Sequence, residues 1–158
     1  MNDAEKRCRL FLEAEGMADR IIDFSNSDIT AESTATALGV EVDRICKGLA
    51  FRGKKGTAIV VIASGNSRVD NAMFRNVFGF RPSMLPAEQT DELIGHLPGT
   101  INPFCLKETA KLYLDLSIRK HLGETVFPGI GGEDSVVELS LDELEKLSKP
   151  VCWVSVTK

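Results

Sequence analysis

Hydrophobic and polar residues follow two different periods along the chain, and these periods predict a mixture of helices and strands. Apolar residues at helical spacing predict helices over 3–15, 31–38, 70–78, 87–94 and 141–147. Alternating or continuous apolar residues between turn signals predict about seven strands. These segments are 20–24, 47–52, 57–63, 111–115, 124–127, 135–139 and 151–156, with a further short strand at 81–85.

Local signals refine this prediction at three places. Asp28 or Thr30 is placed to cap the second helix, and Ser140 with Glu143 has the spacing of a capping box. The continuously apolar segment 57–63 indicates a central strand that is covered on both faces. Hairpins occur beside helical crossovers, so the chain predicts one α+β domain over 1–158, built on a mixed β-sheet flanked by helices.

The composition is that of a folded domain that needs no metal to stabilise its core. The 158 residues are 43% apolar and 27% charged, and a chain of this length can bury a large core. The four cysteines form no C-x-x-C pair, so we expect no metal site and no cofactor. The charged N-terminus and the short apolar runs predict a cytoplasmic protein without a signal peptide or membrane span.

The net charge of −4 is unevenly distributed. Residues 44–81 carry eight cations and one acid, a local charge of +7, whereas residues 121–147 carry one lysine and seven acids, a local charge of −6. Long cationic side chains at a hairpin tip and a loop can meet a phosphate backbone locally, and solvated charged faces are the ordinary alternative. The candidates for this contact are Arg52, Lys54, Lys55 and Arg68. The overall charge and the absence of a helix-turn-helix pattern argue against sequence-specific DNA binding.

Motifs for dinucleotide binding, phosphoryl transfer, zinc proteolysis and serine hydrolysis are all absent. Lys47 is the notable residue because it begins an apolar strand segment, where a lysine needs access to water or to a site. A lysine that extends to solvent at a strand edge is the ordinary alternative. Cys46 beside it is a candidate nucleophile that a nearby cation could activate. Neighbours on a strand face opposite sides, however, so Cys46 and Lys47 are not expected to share one pocket.

A second candidate site is the loop 99–104, Gly-Thr-Ile-Asn-Pro-Phe. Glycine and a proline-restricted turn can present backbone N–H groups to a carbonyl or carboxylate, so we expect the N–H groups near Gly99 and Thr100 to face a substrate. An ordinary surface turn is the alternative.

In their order along the chain, these features resemble the YbaK/ProX/EbsC family. The features are the Lys47 strand, the 53–56 turn, the apolar strand 57–63, Arg68-Val69-Asp70 before a helix, Gly95 and Gly99 to Phe104, Gly131-Gly132, and 137–140 before the last helix. The resemblance covers about residues 20–150. It implies a partly barrel-like mixed sheet and hydrolysis of the ester of mischarged aminoacyl-tRNA, often tRNA(Pro) that carries a small wrong amino acid.

The resemblance also implies roles for individual residues. Lys47 matches the essential lysine of the family, and Gly99 matches the first glycine of its substrate loop. Thr100 and Asn102 replace a glycine and a serine, so this loop is bulkier and more polar. The remaining substrate-binding candidates that it implies are Thr30, Ser33 and Gly131.

Three functions remain open at this point. The first is a trans-editing deacylase that acts on aminoacyl-tRNA, with an aminoacyl-tRNA synthetase as a candidate partner. In this function Lys47 stabilises the developing oxyanion. The second is a non-catalytic regulator that binds tRNA, a synthetase or an amino acid. The third is a hydrolase that uses Cys46 as its nucleophile.

Overall fold

A computed structural model describes residues 1–25 and 30–158, so the predicted capping residue Asp28 lies outside the described residues. The α-helices are α1 (Asp3–Ala14), α2 (Ala31–Leu38), α3 (Asn71–Phe78), α4 (Ala87–Leu93) and α5 (Leu141–Ser148). The strands are β1 (Ile21–Asp23), β2 (Ile45–Arg52), β3 (Ala58–Ser64), β4 (Ala110–Asp115), β5 (Phe127–Pro128), β6 (Ser135–Val137) and β7 (Cys152–Val154). Within the described ranges, the helices are too short or too polar to cross a membrane.

The strands form two sheets, and the larger one is mixed as predicted. Its order is β5-β2-β3-β4-β7, and only the β2–β3 pair is antiparallel. This sheet curls into a half-barrel, while β1 and β6 form a separate antiparallel pair. The predicted α+β class is therefore confirmed.

Strand β3 lies at the centre of the larger sheet, as its continuous apolar sequence predicts. All of its residues are buried. One face contributes Val60 and Ile62 to a core shared with α1 and α5, and the other contributes Val61 to a core around Phe74 of α3. Burial on both faces explains why β3 shows no alternation of polar and apolar residues.

The predicted strand at 81–85 is wrong. This segment forms an isolated bridge between Met84 and Phe51, and the Leu85 N–H donates to the Ala50 carbonyl. Proline at positions 82 and 86 has no N–H to donate, which limits the segment to scattered contacts along the edge of β2. The pattern also missed the 3₁₀ segment Leu116–His121.

Two predicted helix caps are confirmed. The Thr30 hydroxyl oxygen accepts a hydrogen bond from the Ser33 N–H at 3.0 Å. The Ser140 hydroxyl oxygen accepts from the Glu143 N–H, and the Glu143 carboxylate accepts from the Ser140 N–H at 2.9 Å. Caps depend on neighbours within one turn, so local sequence identifies them well.

Gly48 allows the loop at 97–103 to lie directly against β2. A Cβ atom at this position would overlap the carbonyl oxygen of Ile101. Any other residue would therefore push the backbone of the loop away from the strand. The close contact places the loop beside Lys47.

Buried polar side chains fix the conformation of the same loop. His96 is fully buried, and its ring contacts the Phe104 carbonyl through Nε2 at 2.8 Å and the Asn102 N–H through Nδ1 at 3.4 Å. Asn102 accepts from the Phe104 N–H through Oδ1 and donates to the Thr100 carbonyl through Nδ2. Burial lowers the pKa of His96 to about 4, so its imidazole is neutral near pH 7.

His121, the second histidine of the chain, has opposite surroundings. Its Nδ1 contacts the Glu124 carboxylate at 3.1 Å and its Nε2 contacts the Asp43 carboxylate at 2.8 Å. The hydrogen bond to Glu124, together with the bond to Asp43, raises the pKa of His121 above its usual value. The two imidazoles therefore titrate on opposite sides of pH 6.5.

Gly48→Ala tests the close contact between β2 and the loop. We expect it to lower the free energy of unfolding by about 1–3 kcal/mol, because the added methyl group must displace backbone atoms. Chemical denaturation of the purified variant measures this loss. Gly129→Ala is the matched control, since a Cβ there meets no atom within 4 Å. Equal stability of both variants would show that the loop does not depend on Gly48.

The two histidines provide a test by NMR titration. We expect one imidazole to titrate near pH 4 and the other above pH 6.5, and His121→Asn to remove the higher transition. His96 binds a proton more readily in the unfolded chain. The neutral His96 imidazole therefore contributes about 3 kcal/mol to the free energy of unfolding above pH 6.5. This contribution is lost as the pH falls through about 4. Two transitions on the same side of pH 6.5 would contradict these environments.

Candidate active site

A cavity of about 380 Å³ opens between β2, the start of α2, the loop at 97–103 and the turn at 129–132. It brings together residues that are far apart in the sequence. The predicted site residues in its wall are Thr30, Lys47, Gly99, Thr100 and Gly131. The structure thus places Lys47, the loop at 97–103 and the start of α2 around one cavity.

Lys47 is the one cation among the described residues that line the cavity. The side chain is half-buried, and its Nζ donates a hydrogen bond to the Ser67 carbonyl. Burial lowers the pKa of Lys47, and the positive charge of Arg68 lowers it further, while Glu32 acts in the opposite direction. An ammonium group has three N–H donors, so the bond to Ser67 leaves two for other contacts.

Glycines form a large part of the cavity wall. They are Gly48, Gly65, Gly99, Gly129, Gly131 and Gly132. Gly99 and Gly131 have φ angles of +80° and +104°, a region that favours glycine. A ligand can therefore approach the backbone closely on this side of the cavity.

The Thr100 N–H does not face the cavity as the sequence suggested. It donates to the Leu97 carbonyl at 3.0 Å, and the Thr100 hydroxyl donates to the same carbonyl at 2.7 Å. Both donors are thus used to close the turn. Stabilisation of an oxyanion by this N–H is therefore excluded in this conformation.

Asn102 and Ser33 lie beside the cavity but are not part of its described lining. Asn102 is buried beneath the loop, where its amide binds backbone groups on both sides. Ser33 lies in the first turn of α2, and its hydroxyl donates to the Thr30 carbonyl. Thr34, the following residue, contributes to the wall.

Two acidic residues of the wall were not predicted from the sequence. Glu32 and Glu133 are exposed where the cavity meets solvent. Each is close in sequence to predicted site residues, since Glu32 lies between Thr30 and Ser33 and Glu133 follows the 129–132 turn. This proximity is the signal that could have identified them. Their carboxylates can accept hydrogen bonds from a cationic ligand.

The Cys46 side chain belongs to the apolar core although the residue borders the cavity. Burial raises the pKa of its thiol to about 12. The thiol is therefore protonated near pH 7, and a protonated thiol is a poor nucleophile.

The predicted phosphate contacts lie in two places. Arg68 is exposed and close enough to Lys47 to affect its pKa. The other three cations are exposed at the β2–β3 hairpin. Arg52 follows Lys47 by five residues on β2, which corresponds to about 16 Å. A ligand that contacts both Lys47 and the hairpin cations must therefore be long.

A different cluster holds metal-binding residue types away from the cavity. One ligand atom each of Glu41, Asp43 and His121 lies within 4.8 Å of the others. Lys120 already pairs with Asp43 at 2.9 Å, and His121 contacts both acids. The cluster is accordingly an ion-paired contact between residues 41–44 and the 3₁₀ segment Leu116–His121.

Comparisons with known proteins identify relatives of this chain. The chain is 36% identical over 138 residues to the uncharacterized protein YwhH of Bacillus subtilis, which covers 87% of each chain. It is 29% identical over 92 residues to EbsC of Enterococcus faecalis, a proposed Cys-tRNA(Pro)/Cys-tRNA(Cys) deacylase, over 58% of this chain and 56% of EbsC. A proline–tRNA ligase of Limosilactobacillus fermentum is 24% identical over 66% of this chain and 18% of the ligase.

A solved structure shows the same fold. The crystal structure of a proposed trans-editing enzyme for prolyl-tRNA synthetase superposes with a TM-score of 0.84 at 24% identity, over 100% of this chain and 99% of that one. Residues 28–147 match the sequence profile of the aminoacyl-tRNA editing domain. The chain therefore belongs to the aminoacyl-tRNA editing domain family.

Proposed function

We propose that the protein is a trans-editing deacylase that hydrolyses the ester of mischarged aminoacyl-tRNA. The observation that carries this proposal is the convergence of Lys47, the Gly99 loop and the start of α2 on one cavity in a member of the editing-domain family. The proposed substrate is tRNA(Pro), or another tRNA, that carries a small wrong amino acid. Cavities of a few hundred Å³ suit such small groups.

The reaction requires a water molecule to attack the ester carbonyl carbon. The attack forms a tetrahedral intermediate with negative charge on the former carbonyl oxygen. Collapse of this intermediate breaks the bond to the terminal ribose. Lys47 is the proposed oxyanion-stabilising group, because the bond to Ser67 orients its ammonium and leaves two N–H donors. An ester is more reactive than an amide, so orientation and one cation supply the needed assistance.

Other residues of the wall position the substrate in this proposal. Glu32 and Glu133 lie at the exposed rim, where their carboxylates can bind the α-ammonium group of the aminoacyl moiety. The glycines, Gly99 and Gly131 among them, let the ester approach the backbone. Asn102 positions the loop from below.

The cations outside the cavity are proposed to bind the phosphates of the tRNA. Arg68 lies nearest Lys47 and is assigned to the 3′ end. Arg52, Lys54 and Lys55 lie at the hairpin and are assigned to phosphates farther along the acceptor stem. Such contacts hold a tRNA without reading its bases. An aminoacyl-tRNA synthetase is a further proposed partner.

Lys47→Ala tests the catalytic assignment. We expect the rate of deacylation to fall on the order of 10²–10³-fold, because one preorganised electrostatic group is lost. The measurement is a single-turnover assay on a panel of correctly and wrongly charged tRNAs. Lys111→Ala is the matched control, since Lys111 is exposed on β4 and is not part of the described cavity wall.

Each outcome of this assay distinguishes between functions. Wild-type rates for Lys47→Ala would remove the lysine from the mechanism. Tight binding of charged tRNA with no hydrolysis by the wild-type protein would support the non-catalytic regulator. Loss of activity in Cys46→Ser, with retention in Lys47→Ala, would support the cysteine mechanism.

A triple variant of the hairpin, with Arg52, Lys54 and Lys55 changed to Ala, tests the phosphate contacts. We expect the slope of log Kd against log salt for uncharged tRNA to decrease by about 1 for each lost contact. The control triple variant changes Lys6, Lys146 and Lys149 to Ala, which alters net charge equally at exposed positions outside the hairpin. Equal slopes for both triple variants would show that the hairpin makes no specific contact.

A further inference from the structure

Two cysteines that are far apart in the sequence lie against one another beside the substrate loop. The Cys8 Sγ on α1 lies 3.9 Å from the Phe104 carbonyl, and the Cys105 Sγ lies 3.8 Å from the Arg7 carbonyl. Each sulfur thus contacts the peptide group next to the other cysteine. The two thiols are close enough to shift each other's pKa.

The two thiols differ in exposure and in acidity. Cys8 is fully buried, whereas Cys105 is exposed and borders a surface cavity together with Arg7 and Lys107. The pKa of Cys105 is lowered to about 7, chiefly by the contact with Cys8 and also by the charge of Arg7, while burial acts in the opposite direction. The same contact and burial raise the pKa of Cys8. Cys105 is the thiolate of the pair near neutral pH.

The backbone of Cys105 itself has an unusual conformation. Its φ angle is +55°, which residues with a Cβ seldom adopt. The preceding residue is held by His96 at its carbonyl and by Asn102 at its N–H. These contacts hold the peptide before Cys105, and the Cys105 Sγ lies against the Arg7 carbonyl of α1.

We propose that Cys105 and Cys8 form a reversible disulfide on exposure to a peroxide. The Cys105 thiolate attacks the O–O bond of hydrogen peroxide, which yields Cys105 sulfenic acid and hydroxide. The neutral Cys8 thiol then passes its proton to the sulfenic oxygen as its sulfur attacks the Cys105 sulfur, so the S–O bond breaks and the oxygen leaves as water. The two thiols lose two electrons, and after protonation of the hydroxide the peroxide becomes two water molecules.

This disulfide would alter the loop that borders the cavity. The Cys8 thiol donates to Asn102 Oδ1 at 3.7 Å, and this donor disappears when the sulfur is oxidised. Asn102 also binds the Thr100 carbonyl, and Thr100 is part of the cavity wall. The pair therefore links oxidation to the substrate loop. This consequence rests on the proposed deacylase function, whereas formation of the disulfide does not.

Peptide mapping by mass spectrometry after peroxide treatment and alkylation tests the disulfide. We expect one Cys8–Cys105 cross-link that lacks two hydrogen atoms and is reversed by dithiothreitol. At pH 7 we expect Cys105 to react roughly threefold faster than an exposed thiol of ordinary pKa. Cys152→Ser is the matched control, since Cys152 is also exposed, and it must keep the cross-link.

Further variants separate the two steps. Cys8→Ala is expected to leave Cys105 as a sulfenic acid that dimedone labels, and Cys105→Ser is expected to abolish both products. Oxidation of Cys105 and Cys152 at equal rates without a cross-link would overturn the proposal. The mapping uses no tRNA, so it stands or fails independently of deacylase activity.

Discussion

The antiparallel pairing of β2 with β3 is the constraint on which the other features of the site depend. Its register runs from Cys46 opposite Ser64 to Arg52 opposite Ala58. Because β3 is buried on both faces, its partner cannot shift by one residue without exposing apolar side chains. The register therefore places Lys47 at the cavity and Cys46 in the core. It also sets Gly48 where the substrate loop meets the strand.

The conformation of the loop at 97–103 depends on a second constraint, the pairing of buried polar groups. The loop contains few apolar anchors, and its conformation is held by buried polar groups of His96, Asn102 and Thr100 that find partners in the backbone. Satisfied polar networks of this kind specify one conformation, because each unpaired buried group would be costly. The network extends to Cys8 on α1, so the helix and the loop are coupled.

The electrostatics of the site fit a substrate that touches the protein briefly. A net charge of −4 gives no general attraction for a polyanion, yet Lys47 and Arg68 form a local positive region beside the cavity. The acidic residues at the rim provide the complementary charge for an ammonium group. A single site can thus accept the positively charged aminoacyl ester and the phosphates that follow it.

The sequence by itself determined the elements whose signals are local. The caps at Thr30 and Ser140, the buried strand β3 and the position of Lys47 all follow from spacings within a few residues. Only the tertiary structure decided which side of the loop faces the cavity. Asn102 turns inward, the Thr100 N–H closes a turn, and Glu32 and Glu133 reach the rim. The hydrogen bonds within the loop are short-range, but the loop takes its place through packing against Gly48 of β2 and Cys8 of α1, which no local period encodes.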